Sequence, residues 1–528
     1  MGAILGAGAV EDWHVGCLRR IAEDPGAELV CVAWVSGVAR ARPGAVLRWA
    51  QRRGARSGRG QVDPLLAELP AATWRLPAGT RSPGDDEVAW LRERAPDVLL
   101  ALGIGRLEGP VLEAAPRGLW SFRHEREWHD AGWPLSVVER LEREPVTYVS
   151  LDVLGAEPAA DERLRAGWLR TIEDSWRENH DQIVRPLAGW PSQLLRQSVR
   201  LPPPPPPERP PVEVSGAGVA ALSVRMLAGR LRRLAAGALR HDAWSVGVVA
   251  SPPAALLDAR PPRARWTPRP RGRYLADPFG LDFDGRLHVL LEDFSSRRGK
   301  GVISHAEMAA DGSLTPPTEV LELPTHASYP YLVRHEDRIH LIPETADARE
   351  VALYEATDFP RGWRRRAILL EDVPALDSTV FVHEGRWWLL CTVAEGGQPH
   401  LAVHAWHAPD LLGPWAPHPA NPLKLDVRSA RPAGAPFVHG GVLYRPAQDC
   451  ARGYGRRVLL NRVDALTPTD FAETPVAVVG PDPAGPYPRG LHTLSGLGPV
   501  TLVDGNRGRF DPHAFRAALR RRLGRSIH

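Results

Sequence analysis

Lysine is almost missing from this chain: Lys300 and Lys424 are the only two. The 66 basic residues are therefore nearly all arginine, set against 62 acidic ones for a formal charge of +4. So even a balance gives no global reason to expect nucleic acid as a partner. Together with abundant Ala, Gly and Pro, the arginine excess reads as coding bias rather than as a surface selected for anions. Cysteine is scarce too. Cys17, Cys31, Cys391 and Cys450 are scattered, with no CxxC pair, which argues against a disulfide framework or a structural zinc site and suits a reducing compartment. Long apolar runs are also lacking, since none approaches the roughly 18 residues of a membrane span. The opening MGAILGAGAVEDWH has no basic leader region and meets an acid at Glu11. These absences lead us to expect a soluble, cytoplasmic protein with no membrane span.

What is present divides into two textures. At 528 residues the chain is too long for one ordinary core. The clearest break is the run over residues 201–211, where six consecutive prolines precede Glu208. Such a run joins neither a helix interior nor a sheet ladder and favours a stiff polyproline spacer over a peptide-ligand role. Upstream, residues 28–35 and 97–102 are short apolar runs suited to buried parallel strands, and residues 87–94 between them read as a helix with Pro96 beyond it. That alternation predicts a doubly wound α/β domain. The early Gly6-Ala-Gly8 follows too few residues for a convincing first strand, so no dinucleotide site is expected from it. After the spacer, Leu222, Met226, Leu227, Leu231 and Leu234 recur at helical spacing, with Arg225, Arg230, Arg232 and Arg233 at other positions. We read that helix as packing between domains rather than lying on an acidic membrane surface.

From about Trp244 short strands alternate with turn residues, and a repeat emerges. Turn-plus-strand units begin near Asp284, Glu336, His383, His439 and Gly496. Five such units predict a five-bladed β-propeller. The expected organisation is an α/β domain over 1–195, a Pro-rich linker and amphipathic helix over 196–243, the all-β propeller over 244–510, and a basic tail over 511–528 with a helix from Phe515 to Leu523.

Within the first domain, residues 103–124 and the later Glu144-Pro-Val-Thr147 resemble the heart of formyltransferase domains, such as those acting on methionyl-tRNA or on amino sugars. The resemblance implies a Rossmann-type fold and a catalytic Asn, a His two residues later and a distant Asp, with formyl-tetrahydrofolate as cofactor. Here the Asn position is Ser121 and the His position Arg123, and arginine is no base near neutral pH. His124 is displaced by one residue, so on a strand it faces the other way. The Asp position falls near Ala159, with Asp161 two residues on. Loss of formyl transfer is the expectation, with no cofactor required. A slipped register using His124 and Asp161 is the alternative.

Ala276-Asp277-Pro-Phe279, followed by an aromatic-rich strand, resembles the first blade of five-bladed glycosidases such as arabinanases and fructosidases. More closely, residues 244–504 resemble the N-terminal domain of glucosamine inositolphosphorylceramide transferases. The matching motifs are Ser328-Tyr-Pro330, Ile342-Pro-Glu-Thr345, Asp377-Ser-Thr-Val-Phe381, Arg428-Ser-Ala-Arg-Pro432, Gln448-Asp449 and Gly490-Leu-His492. Innermost strands of a propeller converge on its axis. Asp277 and Asp377 hold equivalent positions and are the candidate acid and base. Glu344, Arg428, Arg431, Asp449 and His492 are the candidate substrate-binding residues. The second unit opens with Ser328-Tyr329-Pro330 where the glycosidases carry a carboxylate. Glu292 and Asp293, at a strand end, are expected to be solvated. His305, His326, His400, His404 and His407 show no ligand-like spacing, so no metal is expected.

The leading expectation is a sugar-directed protein whose propeller binds or processes a glycan, amino sugar or sugar-nucleotide, with an inactive first domain. The rivals are a formyl transferase acting on an amino sugar and a non-catalytic scaffold.

Overall fold

The computed structural model describes residues 1–6, 11–35, 69, 71–77, 80–124, 127–128, 136–205, 215–239, 241–270, 272–394 and 397–509. They form two compact units, Met1–Leu231 and Arg232–His528. Gly8, residues 206–211 of the proline run and the helix expected from Phe515 to Leu523 lie outside the described residues, as does the side chain of Leu234.

The first unit is built on one sheet. Its strands are β1 (Gly2–Gly6), β2 (Cys31–Val35), β3 (Ala72–Leu76), β4 (Leu99–Leu102), β5 (Leu119–His124), β6 (Glu127–Trp128), β7 (Val146–Val153) and β8 (Glu162–Arg170). The spatial order is β3-β2-β1-β4-β5-β7-β8, with β6 beside β5. The first five in that order pair in parallel, and β7 and β8 continue antiparallel. The expected strands at 28–35 and 97–102 and the helix at 87–94 appear as β2, β4 and Asp85–Glu93. The expectation that too few residues precede Gly8 for a strand is overturned. Residues 2–6 form a wholly buried central strand, because parallel neighbours on both edges supply every ladder bond that a short strand needs.

Residues 201–205 have no regular structure, and Tyr148 donates a 2.8 Å hydrogen bond to the Pro204 carbonyl. The start of the proline run is therefore fastened to the first unit. The following helix spans Gly216–Leu239, with Val219, Leu222 and Met226 buried beside Val137, Leu141 and Trp176. Leu227 and Leu231 remain exposed.

The second unit contains five sheets of four or five strands, a five-bladed propeller. Blade one runs through Arg273–Phe283, Arg286–Ser295, Lys300–Met308 and Thr318–Leu321. Blade two runs through Ser328–His335, Arg338–Glu344, Glu350–Asp358 and Gly362–Glu371. Blade three holds Ala375–His383, Arg386–Val393, Ala402–Ala408 and Ala416–Pro417, with Lys424–Leu425 also paired to the third of these. Blade four holds Phe437–His439, Val442–Asp449, Arg457–Leu466 and Phe471–Val479. Blade five is composite: Leu494–Leu497 and Val500–Arg509 pair onward with His241–Val249 and Ala264–Trp266. Nothing in the repeat signals that this blade is closed from both ends of the unit. Sealing it this way leaves no gap between the first and last blades.

In every blade the first two strands are joined by a two-residue turn. In four of them both turn residues have positive φ: Asp284-Gly285, Glu336-Asp337, Glu384-Gly385 and Gly440-Gly441. This is the hairpin geometry that matches strand twist, and it is why the repeat was legible. Apolar layers between blades bury Phe279, Tyr331, Val351 and Leu389 in one place and Val458, Leu494 and Val503 in another.

Candidate functional site

The first strands of blades one, two and three share a local irregularity. Their pairing slips between Ala276 and Phe279, between Ser328 and Tyr331, and between Leu376 and Thr379. Each slip holds one non-glycine residue at positive φ: Asp277 (49°), Tyr329 (45°) and Asp377 (54°). A bulge re-aims a side chain, and these three fall at matching positions of adjoining blades. Left-handed backbone is tolerable for Asp but uncommon for a bulky Tyr, and such conformations cost about 1–3 kcal/mol each.

Tyr329 is fully buried and ties the blades together. Its amide donates to Asp277 Oδ2 at 3.2 Å, its hydroxyl lies 2.9 Å from Thr379 Oγ1, and the Gly434 amide donates to that hydroxyl at 2.7 Å. Gly434 is required there: its φ is 116°, and a Cβ would fall 1.9 Å from the Leu494 carbonyl oxygen. Where the sequence suggested a missing carboxylate, blade two thus supplies a structural tie.

Asp277 accepts a 2.7 Å hydrogen bond from the Thr493 hydroxyl and lies 3.5 Å from His492 Nε2. Burial, with the Asp377 and Asp504 charges, pushes its pKa up to about 6 against the pull of His492. Burial alone would make His492 less basic; Asp504 and Asp277 reverse this and raise it to about 8. Its Nδ1 sits 2.5 Å from Asp504 Oδ2. Asp504 also accepts the backbone amides of Asp277, His492 and Thr493, so it fastens blade five to blade one.

Asp377 is gripped by Arg431, with Nε at 2.5 Å and Nη2 at 3.2 Å, and by the Gln448 amide at 2.7 Å. Its own amide donates to Glu344 Oε2 at 2.9 Å. Glu344 is buried and pushed well above the usual carboxylate range by burial and by Asp377, with Arg431 opposing. Glu292 behaves likewise, through burial and the Asp277 charge, and lies 3.2 Å from the Tyr274 hydroxyl. The expectation of solvated acids at 292 and 293 is therefore wrong. Both are buried, because the strand end that carries them faces the interior. Asp293 is closed into a bidentate pair with Arg273 and accepts from Ser304 at 3.1 Å.

Among the sequence candidates, Asp277, Glu344, Asp377, Arg431 and His492 are thus brought together. Arg428 and Asp449 are engaged elsewhere. Arg428 forms a bidentate pair with Asp426 at 2.9 and 2.8 Å, and Asp449 caps Ala451 and accepts from Arg457 at 2.6 Å. Asp504 and Tyr454 were missed, and Glu292 had been set aside as a solvated acid. Asp504 and Glu292 lie outside the motifs, on the second strands of their blades. Tyr454 lies in a turn and stays 41% exposed. Its ring centroid lies 5.2 Å from that of His492, 5.5 Å from that of His400 and 5.2 Å from the Arg431 guanidinium carbon. Next to it, Gly455 (φ 62°) lets the turn approach Trp244, where a Cβ would meet the indole at 2.7 Å.

Asp277, His492 and Asp504 could each offer one ligand atom to a cation, all within 4.8 Å of one another. His305 pairs with His288 at 2.9 Å, His326 lies 3.5 Å from Glu292, and His400 lies 3.2 Å from Arg431.

In the first unit Ser121 is buried and, with Trp13, His14, Gly103 and Phe122, lines a narrow cavity. Asp161 is held by Arg106, whose Nη1 lies 2.9 Å from each carboxylate oxygen, and also accepts the Gly155 amide. Its hydrogen bonds thus go to Arg106 and Gly155. Arg123 and His124 stand next to each other on β5, paired with Ser150 and Val149 of β7.

Residues 267–484 match the family model described as glucosamine inositolphosphorylceramide transferase 1, N-terminal. Among curated proteins the chain is similar to glucosamine inositolphosphorylceramide transferase 1 of Oryza sativa subsp. japonica. The identity is 33% over 208 residues, covering 38% of this chain and 28% of that protein. The Arabidopsis thaliana protein of the same name is 31% identical over 208 residues, covering 38% and 27%. The match thus spans under a third of the curated relatives' length. Among solved structures, the family 117 glycoside hydrolase Zg3597 of Zobellia galactanivorans is 12% identical and covers 50% of this chain and 90% of its own, with a TM-score of 0.33. An exo-β-1,3-galactanase from Clostridium thermocellum is 12% identical and covers 40% and 53%, with a TM-score of 0.31. The five-bladed architecture itself rests on the strand pairing above.

Proposed function

We propose that the second unit binds a sugar at the end of the propeller axis framed by Tyr454. The observation that carries this reading is Tyr454, part of which reaches solvent, with its ring beside His492 and Arg431, both of which touch buried carboxylates. Such a surface offers a flat apolar face to a sugar ring and acceptors to its hydroxyls. The match to the transferase family model supports a glycan-related role. The chemistry available is acid–base: Asp277, with its pKa pushed up to about 6, stands where a proton can be taken or given near neutrality. Asp377, fixed by Arg431 and Gln448, is suited to orienting and to holding charge. The Asp377 charge is one of those that raise Asp277, and two such carboxyls favour turnover of a glycosidic bond as a second reading. The engagement of Asp161 by Arg106 supports a first unit that does not transfer formyl groups and needs no formyl-tetrahydrofolate.

Calorimetric titration of the full chain with a panel of neutral and amino monosaccharides and disaccharides tests the reading. Tyr454→Ala should weaken binding at least about tenfold, about 1.4 kcal/mol, with an unchanged melting temperature. Binding that survives Tyr454→Ala and Asp377→Asn alike would place the sugar elsewhere.

A further inference from the structure

We propose that the helix Gly216–Leu239 docks the protein on an anionic phospholipid surface, lying flat with one apolar face in the headgroup layer. The helix stands outside residues 267–484, which match the family model, and outside the axial site. It is apolar on two sides. One side carries Val219, Leu222 and Met226, buried beside Val137, Leu141 and Trp176. Arg140 clamps that side. Its Nη1 lies 3.6 Å from Met226 Sδ, its Nη2 donates to the Ile172 and Ser175 carbonyls at 2.7 Å each, and its own carbonyl accepts from Arg225. With that side fixed, the opposite one faces outward. It carries Ala217, Ala220, Val224, Leu227 and Leu231, all exposed, and their spacing of three and four makes them one stripe about 21 Å long. Val224, Leu227 and Leu231 are 71%, 62% and 60% exposed, three of the four most exposed large apolar side chains among the described residues. Their gathering on one face marks an interaction surface.

Charge selects the occupant. Between Glu213 and Asp242 the sequence has no acidic residue and five arginines: Arg225, Arg230, Arg232, Arg233 and Arg240. Coding bias accounts for arginine in place of lysine. It does not account for the missing acids, of which the whole chain has 62. At the helical period Arg230 and Arg232, both exposed, fall on opposite margins of the stripe. An apolar strip bordered by long cationic side chains suits the membrane interface, where arginine stems cross the apolar boundary and their heads meet lipid phosphates. A second copy of the chain fits worse, because it would set Arg230 against a helix with no acid to answer it. No described helix is long and apolar enough to cross a membrane, so the contact is with the surface alone.

The test is co-sedimentation of the full chain with vesicles of phosphatidylcholine alone and of phosphatidylcholine with about one third phosphatidylserine. Binding to the anionic vesicles should be at least about tenfold tighter, and should weaken as salt is raised. Val224→Ser, Leu227→Ser and Leu231→Ser combined should abolish it with an unchanged melting temperature. Arg230→Ala should weaken it about fivefold. Equal binding to the two vesicles, or none to either, overturns the proposal from the unaltered protein alone, whatever the variants do. Full binding by the triple variant also overturns it, since the lipid contact then lies elsewhere. A dimer that the triple variant splits would make the stripe an interface between copies, and a large fall in melting temperature would show that the chain itself covers it; either result overturns lipid docking. The sugar site stands or falls by its own titration.

Discussion

Blade four and the propeller axis both bury carboxylates, and they treat them in opposite ways. Inside blade four, Glu473 accepts from Arg445 at 2.8 and 2.7 Å and from Lys424 at 2.9 Å. Burial works against its charge, yet the two cations pull its pKa down to about 2. At the axis the acids outnumber the bases, and burial with mutual repulsion drives Glu292 and Glu344 upward. Burial is common to both places, so the local supply of partners decides protonation. A cluster left short of counter-charge while held rigidly is the pattern of a site, whereas a closed triad is the pattern of a structural fastening.

The contrast can be broken most directly at Glu473. Glu473→Ala leaves Arg445 buried without its carboxylate and should cost about 3–5 kcal/mol, read from the urea midpoint of the full chain. A loss under about 1 kcal/mol would mean that blade four does not depend on its triad. Glu344→Gln should cost less than about 1 kcal/mol, because a neutral amide oxygen can still accept the Asp377 amide. A penalty as large as that at Glu473 would show Glu344 to be ionised and paired, and the distinction between the two clusters would fail.

The comparison can also be sharpened by pH. His305 is held down to about 4 by burial and by its neighbour His288. The neutral form is the one that the fold prefers, so its contribution is complete above the ordinary value of 6.5 and is lost as pH falls through 4. His492, raised to about 8, runs the other way: its contribution is complete below 6.5 and is lost as pH rises through 8. Melting temperatures across pH 4–9, in units set by these values, should therefore fall at both ends. His492→Gln should flatten the alkaline limb alone, and an unchanged alkaline limb would remove His492 from the charged network.

Much of the propeller was readable because its hairpins are local. Asp284-Gly285, Glu384-Gly385 and Gly440-Gly441 mark turns that only certain residues adopt, and the apolar strand follows each at once. The motifs around Asp277 and Asp377 were readable for a related reason: a bulge that inverts φ favours Asp over most residues. Glu292 was misread because a strand end is solvated in an ordinary sheet, while in a propeller blade that end can face the axis. Arg428 and Arg431 show the limit most clearly. Three residues apart in one motif, the first closes on Asp426, two positions away, and the second reaches Asp377 in another blade.

By itself the sequence determined what depends on neighbours along the chain: the alternating elements of the first unit, the five turn-and-strand repeats and the two bulged aspartates. Tertiary structure alone decided what depends on distant residues meeting. It completed blade five with residues 241–266, made β1 a central strand and set His492 against Asp504. It also gathered buried carboxyl groups from blades one, two, three and five. The physical reason is that turn preference and apolar period act over a few residues, whereas the charge state of a buried acid is set by whichever groups the fold brings within a few ångströms.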